Sequence, residues 1–173
     1  MTKRFFLVLL AMLLVLSVFT ACDDDDDDDS RACTEEDLEI IGAIMDACSE
    51  ATEDDDYFTY SISGTTYTIT LKTYTCTVES YIDDSDISVT IKSGSTCKAA
   101  FNSSYTSITY NISATVDGIS HSLYMKETYD DPEDDDPTSS KIKLDGVEIT
   151  GFYDMFDDLY SAARELAART LAV

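Results

Sequence analysis

The stretch Ile-Thr-Tyr-Asn-Ile-Ser-Ala-Thr-Val-Asp-Gly-Ile-Ser-His-Ser-Leu-Tyr-Met, residues 108–125, decides the fold. Ile108, Tyr110, Ile112, Ala114 and Val116 alternate with polar residues as far as Asp117-Gly118, after which Ile119, Leu123 and Met125 carry the alternation back. Period-two spacing places one side chain in two on the same face of a strand, and Asp-Gly supplies the two positive-φ positions of a tight hairpin turn. An antiparallel pair with one face buried is the expectation.

Working outward, the same pattern rich in Thr, Tyr, Ile, Val and Ser extends from Tyr57 to Glu127. Such residues suit a pleated, half-buried surface. Tyr57 to Ser63 and Thr65 to Val78 read as a hairpin turning near Gly64. The apolar phase moves from Tyr67, Ile69 and Leu71 to Tyr74, Cys76 and Val78, the one-residue slip that a bulge produces. Ile87, Val89 and Ile91 form a further strand, and Ser93-Gly94-Ser95 is expected to turn it back into a hairpin with Cys97, Ala99 and Phe101. Lys141 to Leu144, Asp145-Gly146 and Val147 to Thr150 make a last short hairpin.

A helix is predicted on each side of these strands. Thr34-Glu35-Glu36-Asp37 resembles a capping box, and Leu38, Ile41, Ile44, Met45 and Cys48 then share one stripe up to Ala51. Near the C-terminus Asp154 is the expected cap, with Met155, Phe156, Leu159, Ala163, Leu166 and Thr170 on one face. The fold class expected is therefore α+β: an N-terminal helix, a curved antiparallel meander of about seven or eight strands, and a C-terminal helix.

Ahead of all this stand Lys3 and Arg4, an apolar run from Phe5 to Phe19 broken only by Ser17, and then Thr20-Ala21-Cys22. A positive start, a short apolar core and small residues at its end define a secretory signal peptide. The run is shorter than the roughly 20 apolar residues that a membrane-crossing helix needs. Ala21-Cys22 at the end of such a leader resembles bacterial lipoprotein precursors, with Phe19 standing where an aliphatic residue is usual. The resemblance covers the first thirty residues or so, and implies that Cys22 is diacylated and becomes the first residue of the mature chain. Acyl chains contribute about 0.8 kcal/mol for each buried CH₂, so two or three hold firmly. Asp23 to Asp29 would follow as a hydrated spacer. Residues 1–21 are thus read as signal peptide, 22–32 as a lipidated tether and 33–173 as a single domain.

An aspartate directly after the lipidated cysteine is associated with inner-membrane retention in enterobacterial lipoproteins. An acidic stretch at that place in Bacteroidetes resembles a surface-export signal. The expected location is the cell envelope, with the outer membrane or cell surface favoured and the periplasmic face of the inner membrane as the alternative.

The chain has 11 basic and 35 acidic residues, a net charge of −24 that becomes −26 once Lys3 and Arg4 are removed with the leader. Phosphate backbones are repelled by such a surface, so no nucleic-acid partner is expected. Partners left open are the membrane through its acyl chains, an envelope protein and a cation. Oligomeric state is not legible.

Five cysteines divide into Cys22 for lipid and Cys33, Cys48, Cys76 and Cys97 for two disulfides, the default in an oxidising compartment. Their separations lack the short paired spacing of zinc sites. One continuous helix would hold Cys33 and Cys48 about 22 Å apart, beyond the roughly 7 Å limit for a bridge. That disfavours Cys33–Cys48 and leaves Cys48 to pair with Cys76 or Cys97.

Little else carries chemistry. His121, the only histidine, lies between Ser120 and Ser122 on a strand, in phase with Ile119, Leu123 and Met125, and no Gly-x-Ser-x-Gly elbow accompanies it. It reads as structural, and no catalytic residue or cofactor is expected. Asp130, Asp131, Glu133, Asp134, Asp135 and Asp136 form a dense oxygen-ligand loop, a weak calcium candidate without the alternating spacing of an EF-hand, and no resident metal is expected. Eleven tyrosines, many among threonines in strands, suit a binding face. The function expected is an envelope-anchored lipoprotein with a non-catalytic binding or structural domain. The alternatives are a carrier or sensor of an apolar ligand between sheet and helices, and, less favoured, an envelope hydrolase.

Overall fold

The computed structural model describes residues 30–64, 66–100, 106–130 and 137–158, with side chains omitted at 66 and 97–100. The expected leader (1–21), Cys22, the aspartates to Asp29, residues 131–136 of the acidic loop and 159–170 of the final helix lie outside them.

Among the described residues ten strands form one sheet: β1 Ser30–Ala32, β2 Phe58–Ser63, β3 Thr66–Leu71, β4 Tyr74–Glu79, β5 Asp86–Ile91, β6 Thr96–Ala100, β7 Ser107–Val116, β8 Ile119–Thr128, β9 Ser139–Leu144 and β10 Val147–Thr150. The order is β1-β10-β9-β8-β7-β6-β3-β2, with β5 also pairing β7 and β4 pairing β5. Helix α1 spans Glu35–Glu53, and residues 152–158 are helical. The α+β character is as expected, but three features correct the sequence reading.

First, the sheet is mixed rather than an antiparallel meander, and has more strands than expected. Ser30, Arg31 and Ala32, read as the end of the tether, run parallel to β10 in register with Glu148, Ile149 and Thr150. Cys33 N donates to Thr150 O at 2.8 Å to continue the ladder. Three residues carry no periodicity, so the strand is stabilised by its neighbour rather than its own pattern.

Second, β5 and β6 are not a hairpin. Both lie end to end along β7: Val89–Ile91 against Val116–Ala114, and Thr96–Lys98 against Asn111–Thr109. Gly94, at φ +87°, and Ser95, whose Oγ donates to Ser113 O at 2.9 Å, jog the chain sideways instead of reversing it. Between the pairs Thr70↔Thr96 and Tyr74↔Ile91, residues 71–73 face residues 92–95, so the extra residue of the bulge sits on the β5–β6 side. The sheet thereby splits into two arms, β6-β3-β2 and β5-β4.

Third, the two disulfides are not formed. Cys33 and Cys76 are free thiols, and each expected pair of bridges between helix and sheet requires both of them. Apolar burial holds α1 there instead: Leu38, Ile41, Ile44, Ala47 and Ala51 are almost wholly buried, and α1 packs on β4, β5 and β7. Each large side chain so buried contributes about 1.5–3 kcal/mol.

The local signals are otherwise met. Asp117 (φ +46°) and Gly118 (φ +86°) close β7 onto β8 with Val116 opposite Ile119, and Asp145 (φ +53°) and Gly146 (φ +87°) close β9 onto β10. Positive φ at both positions is the hairpin geometry that matches strand twist. Thr34 and Asp37 form the capping box at the start of α1. The final helix begins at residue 152, two residues before the expected cap Asp154.

Candidate functional site

Among the described residues no group of three or more His, Cys, Asp or Glu side chains is arranged to hold a metal ion. Asp130 is exposed, while the remaining calcium candidates Asp131, Glu133, Asp134, Asp135 and Asp136 lie outside the described residues. Cys33 and Cys48 are buried and Cys76 is half-buried. Burial pushes the thiols of Cys33 and Cys76 up to about 11, with Asp37 adding to the first and Glu50 to the second. Thiols so shifted are poor nucleophiles at neutral pH. Cys97 occupies a register position in β6 opposite Ile69 and Tyr110.

His121 faces as its alternation predicts, half-buried beside the Leu123 and Met125 phase of β8. Its Nδ1 lies 2.8 Å from Asp145 Oδ2, while Asp145 Oδ1 accepts from Ser122 N at 2.7 Å. Burial works to raise the Asp145 carboxyl, but the Ser122 amide and the His121 ring outweigh it and hold it below the ordinary range. The pair resembles the His-Asp half of a catalytic triad, yet the Ser122 hydroxyl sits 3.4 Å from the same carboxylate. A serine nucleophile would have to meet the other ring nitrogen. The arrangement clamps the β9–β10 turn onto β8.

Glu127 was not singled out from the sequence. It is 2 % exposed, on the face shared by Leu123 and Met125. Tyr129 Oη donates to it at 2.9 Å and Tyr153 Oη at 3.4 Å. Burial raises its carboxyl above the ordinary range against the pull of the two phenols. The cluster ties β8 to the final helix. Its sequence signal was present, since alternation from Leu123 and Met125 leads directly to Glu127.

A second feature missed in the sequence lies at the free edge of the sheet. Strand β2 ends the strand order, and from Thr59 to Ser63 every residue is exposed. Tyr60 and Ile62 pair with Ile69 and Tyr67, placing them on the core face, but they remain 56 % and 55 % exposed. Helix α1 packs on the other arm and on β7, leaving this end uncovered by it.

Next to the start of β2 lies an open groove lined by Glu50, Glu53, Asp54, Asp55, Asp56 and Tyr74. The turn Asp55–Tyr57 joins groove to strand, with Asp54 Oδ1 accepting from Asp56 N at 3.0 Å. Tyr57 packs edge-on against Tyr74 at 4.8 Å, and Tyr74 Oη donates to Glu50 Oε2 at 3.2 Å. Lys72 Nζ bonds the backbone oxygen of Asp56 at 2.8 Å. No salt bridge neutralises these five carboxylates among the described residues.

Comparisons with known protein families, characterised proteins and solved structures return no match to the chain. Among the described residues no helix is long and apolar enough to cross a membrane.

Proposed function

We propose that the chain is an envelope lipoprotein whose folded part is a non-catalytic binding or structural module, held on a membrane surface by acyl chains on Cys22. The observation that carries this reading is the leader itself: Lys3-Arg4, the apolar run from Phe5 to Phe19, and Ala21-Cys22 followed by seven aspartates. Even cysteine pairing does not support the compartment, because the thiols at 33 and 76 are free.

A binding role for the folded part is favoured by the uncovered β2 edge with its exposed Tyr60 and Ile62. Aromatic residues on an exposed, unpaired strand suit protein recognition. The open groove beside β2 is lined by carboxylates and one tyrosine, which suits a cation-bearing partner better than an apolar small molecule.

The test is Cys22→Ser in the full chain, followed by metabolic labelling with a fatty acid and by membrane fractionation. Loss of label together with release from membranes is expected. A variant that stays tightly membrane-bound overturns the lipid-anchor reading.

A further inference from the structure

We infer that the free edge of β2 is a docking surface for an extended, basic segment of a partner protein, which adds to the sheet as an eleventh strand and carries its cationic end into the adjoining carboxylate groove. This deepens the binding-module reading and rests on it.

Three observations converge on that occupant. Strand β2, Phe-Thr-Tyr-Ser-Ile-Ser at 58–63, has no charge and no proline, and no described strand pairs with its outer edge. An edge of this kind presents a row of backbone donors and acceptors ready for another strand. Proteins usually blunt such edges with lysine, proline, a bulge or a covering element, and the described part of β2 has no charged or proline residue to do so. Its exposure is therefore a feature to be accounted for in a chain that carries 46 charged side chains elsewhere.

Tyr60 and Ile62 supply the second observation. Both lie on the core face, at its uncovered end, and both are more than half exposed. A strand laid alongside β2 places its alternate side chains directly opposite them, where aromatic and β-branched pairs stabilise a sheet. Backbone bonds give such additions affinity, and alternate side chains give them specificity.

Charge decides the third point and the identity of the partner. Glu50, Glu53, Asp54, Asp55 and Asp56 converge on the groove at the Phe58 end of β2, without a salt bridge among the described residues. A second copy of this chain would bring another strongly acidic surface to the same place. A segment with apolar alternation followed by Lys or Arg satisfies both halves of the surface. Running antiparallel to β2, it would have its basic residues at the C-terminal end.

The experiment uses the purified full chain in detergent and a synthetic peptide of three Thr-Val repeats followed by three lysines. Binding is read by fluorescence anisotropy, and the location by hydrogen exchange. Slower exchange confined to β2 is expected, together with affinity that falls as salt is raised. Replacing the lysines by glutamates, or making Asp54→Asn, Asp55→Asn and Asp56→Asn together, should weaken binding by about tenfold or more. Tyr60→Ser with Ile62→Ser should do the same. All of these positions are exposed, so an unchanged thermal transition serves as the check on folding.

Equal binding to the glutamate peptide, or protection away from β2, overturns the proposal. So does concentration-dependent dimerisation of the full chain that Ile62→Lys abolishes, which would make the occupant a second copy. Failure of peptide binding in a chain that Cys22→Ser still releases from membranes removes the docking surface and leaves the lipid anchor standing. A membrane-bound Cys22→Ser chain whose β2 edge still binds the peptide does the reverse.

Discussion

The ring of Tyr81 lies where a side chain on Gly42 would have to stand. A Cβ built on Gly42 would meet Tyr81 Cε2 at 2.4 Å and Cδ2 at 2.7 Å. The ring cannot easily yield, because its hydroxyl donates to Asp46 Oδ2 at 2.6 Å, its backbone N bonds Glu39 Oε1 at 3.0 Å and Phe156 packs edge-on at 5.7 Å. Burial, reinforced by Asp46, holds the phenol far above its ordinary range, so the hydroxyl stays a donor.

Gly42→Ala should therefore destabilise the protein although alanine is the better helix former. Overpacking costs about 1–3 kcal/mol, against about 1 kcal/mol gained in propensity. Urea denaturation checks the sign. In a Tyr81→Ala background the further change Gly42→Ala should no longer destabilise, since the two changes share one contact.

The buried Glu127 predicts an unusual pH dependence. Its carboxyl is held above the ordinary range by burial, so the native state binds the proton more tightly than the unfolded chain. The group's favourable contribution is complete below the ordinary carboxyl range and is lost as pH rises through the raised native value. Glu127→Gln keeps a polar group beside Tyr129 and Tyr153 and removes the charge. The variant should gain on the wild type as pH rises from 4 to 8, measured by urea denaturation at each pH. A constant difference across that range would contradict an ionising Glu127.

Asp37 predicts the opposite slope. It is 2 % exposed, accepts from Thr34 N at 3.0 Å and Thr34 Oγ1 at 2.7 Å, and is held by both terminal nitrogens of Arg31. Burial alone would raise its carboxyl, but the bonds from Arg31 and Thr34 outweigh burial and lower it. Its contribution is present above the ordinary carboxyl range and lost as pH falls through the depressed native value. Asp37→Ala should cost about 1–2 kcal/mol at neutral pH, the cap dominating because Arg31 is 45 % exposed and its charge is screened. The wild-type advantage should shrink below about pH 4.

What was legible in the sequence is what short-range chemistry dictates. Asp117-Gly118 fixes the β7–β8 turn because few residues accept two successive positive φ angles, and Thr34 with Asp37 marks the start of α1 because exposed amides there need an acceptor. His121 faced as its alternation required, but Asp145, its partner, comes from a turn 24 residues away and only the fold joins them. Strand β1 was illegible for the same reason: Ser30–Ala32 owes its extended form to β10, at the other end of the chain. Gly94 was visible as a turn residue, yet whether the chain reverses or jogs depended on Ser113 of β7 accepting from Lys92 and Ser95. The β2 edge stayed hidden because its pattern matches the covered strands; only the position of α1 tells them apart.

The free thiols make a prediction that separates this protein from a disulfide-braced one. Cys33 and Cys76 are unbridged, and Leu38, Ile41 and Ile44 hold the helix to the sheet. A bridge stabilises mainly by restricting the unfolded chain, so its reduction lowers stability by about 2–4 kcal/mol. The thermal transition should therefore be the same with and without a reductant. Maleimide labelling should be slow in the folded protein, where burial pushes the Cys33 and Cys76 thiols up to about 11, and fast at these two positions once urea is added without reductant. Peptide mapping that found either of the two protected in urea, and released by reductant, would contradict the unbridged state.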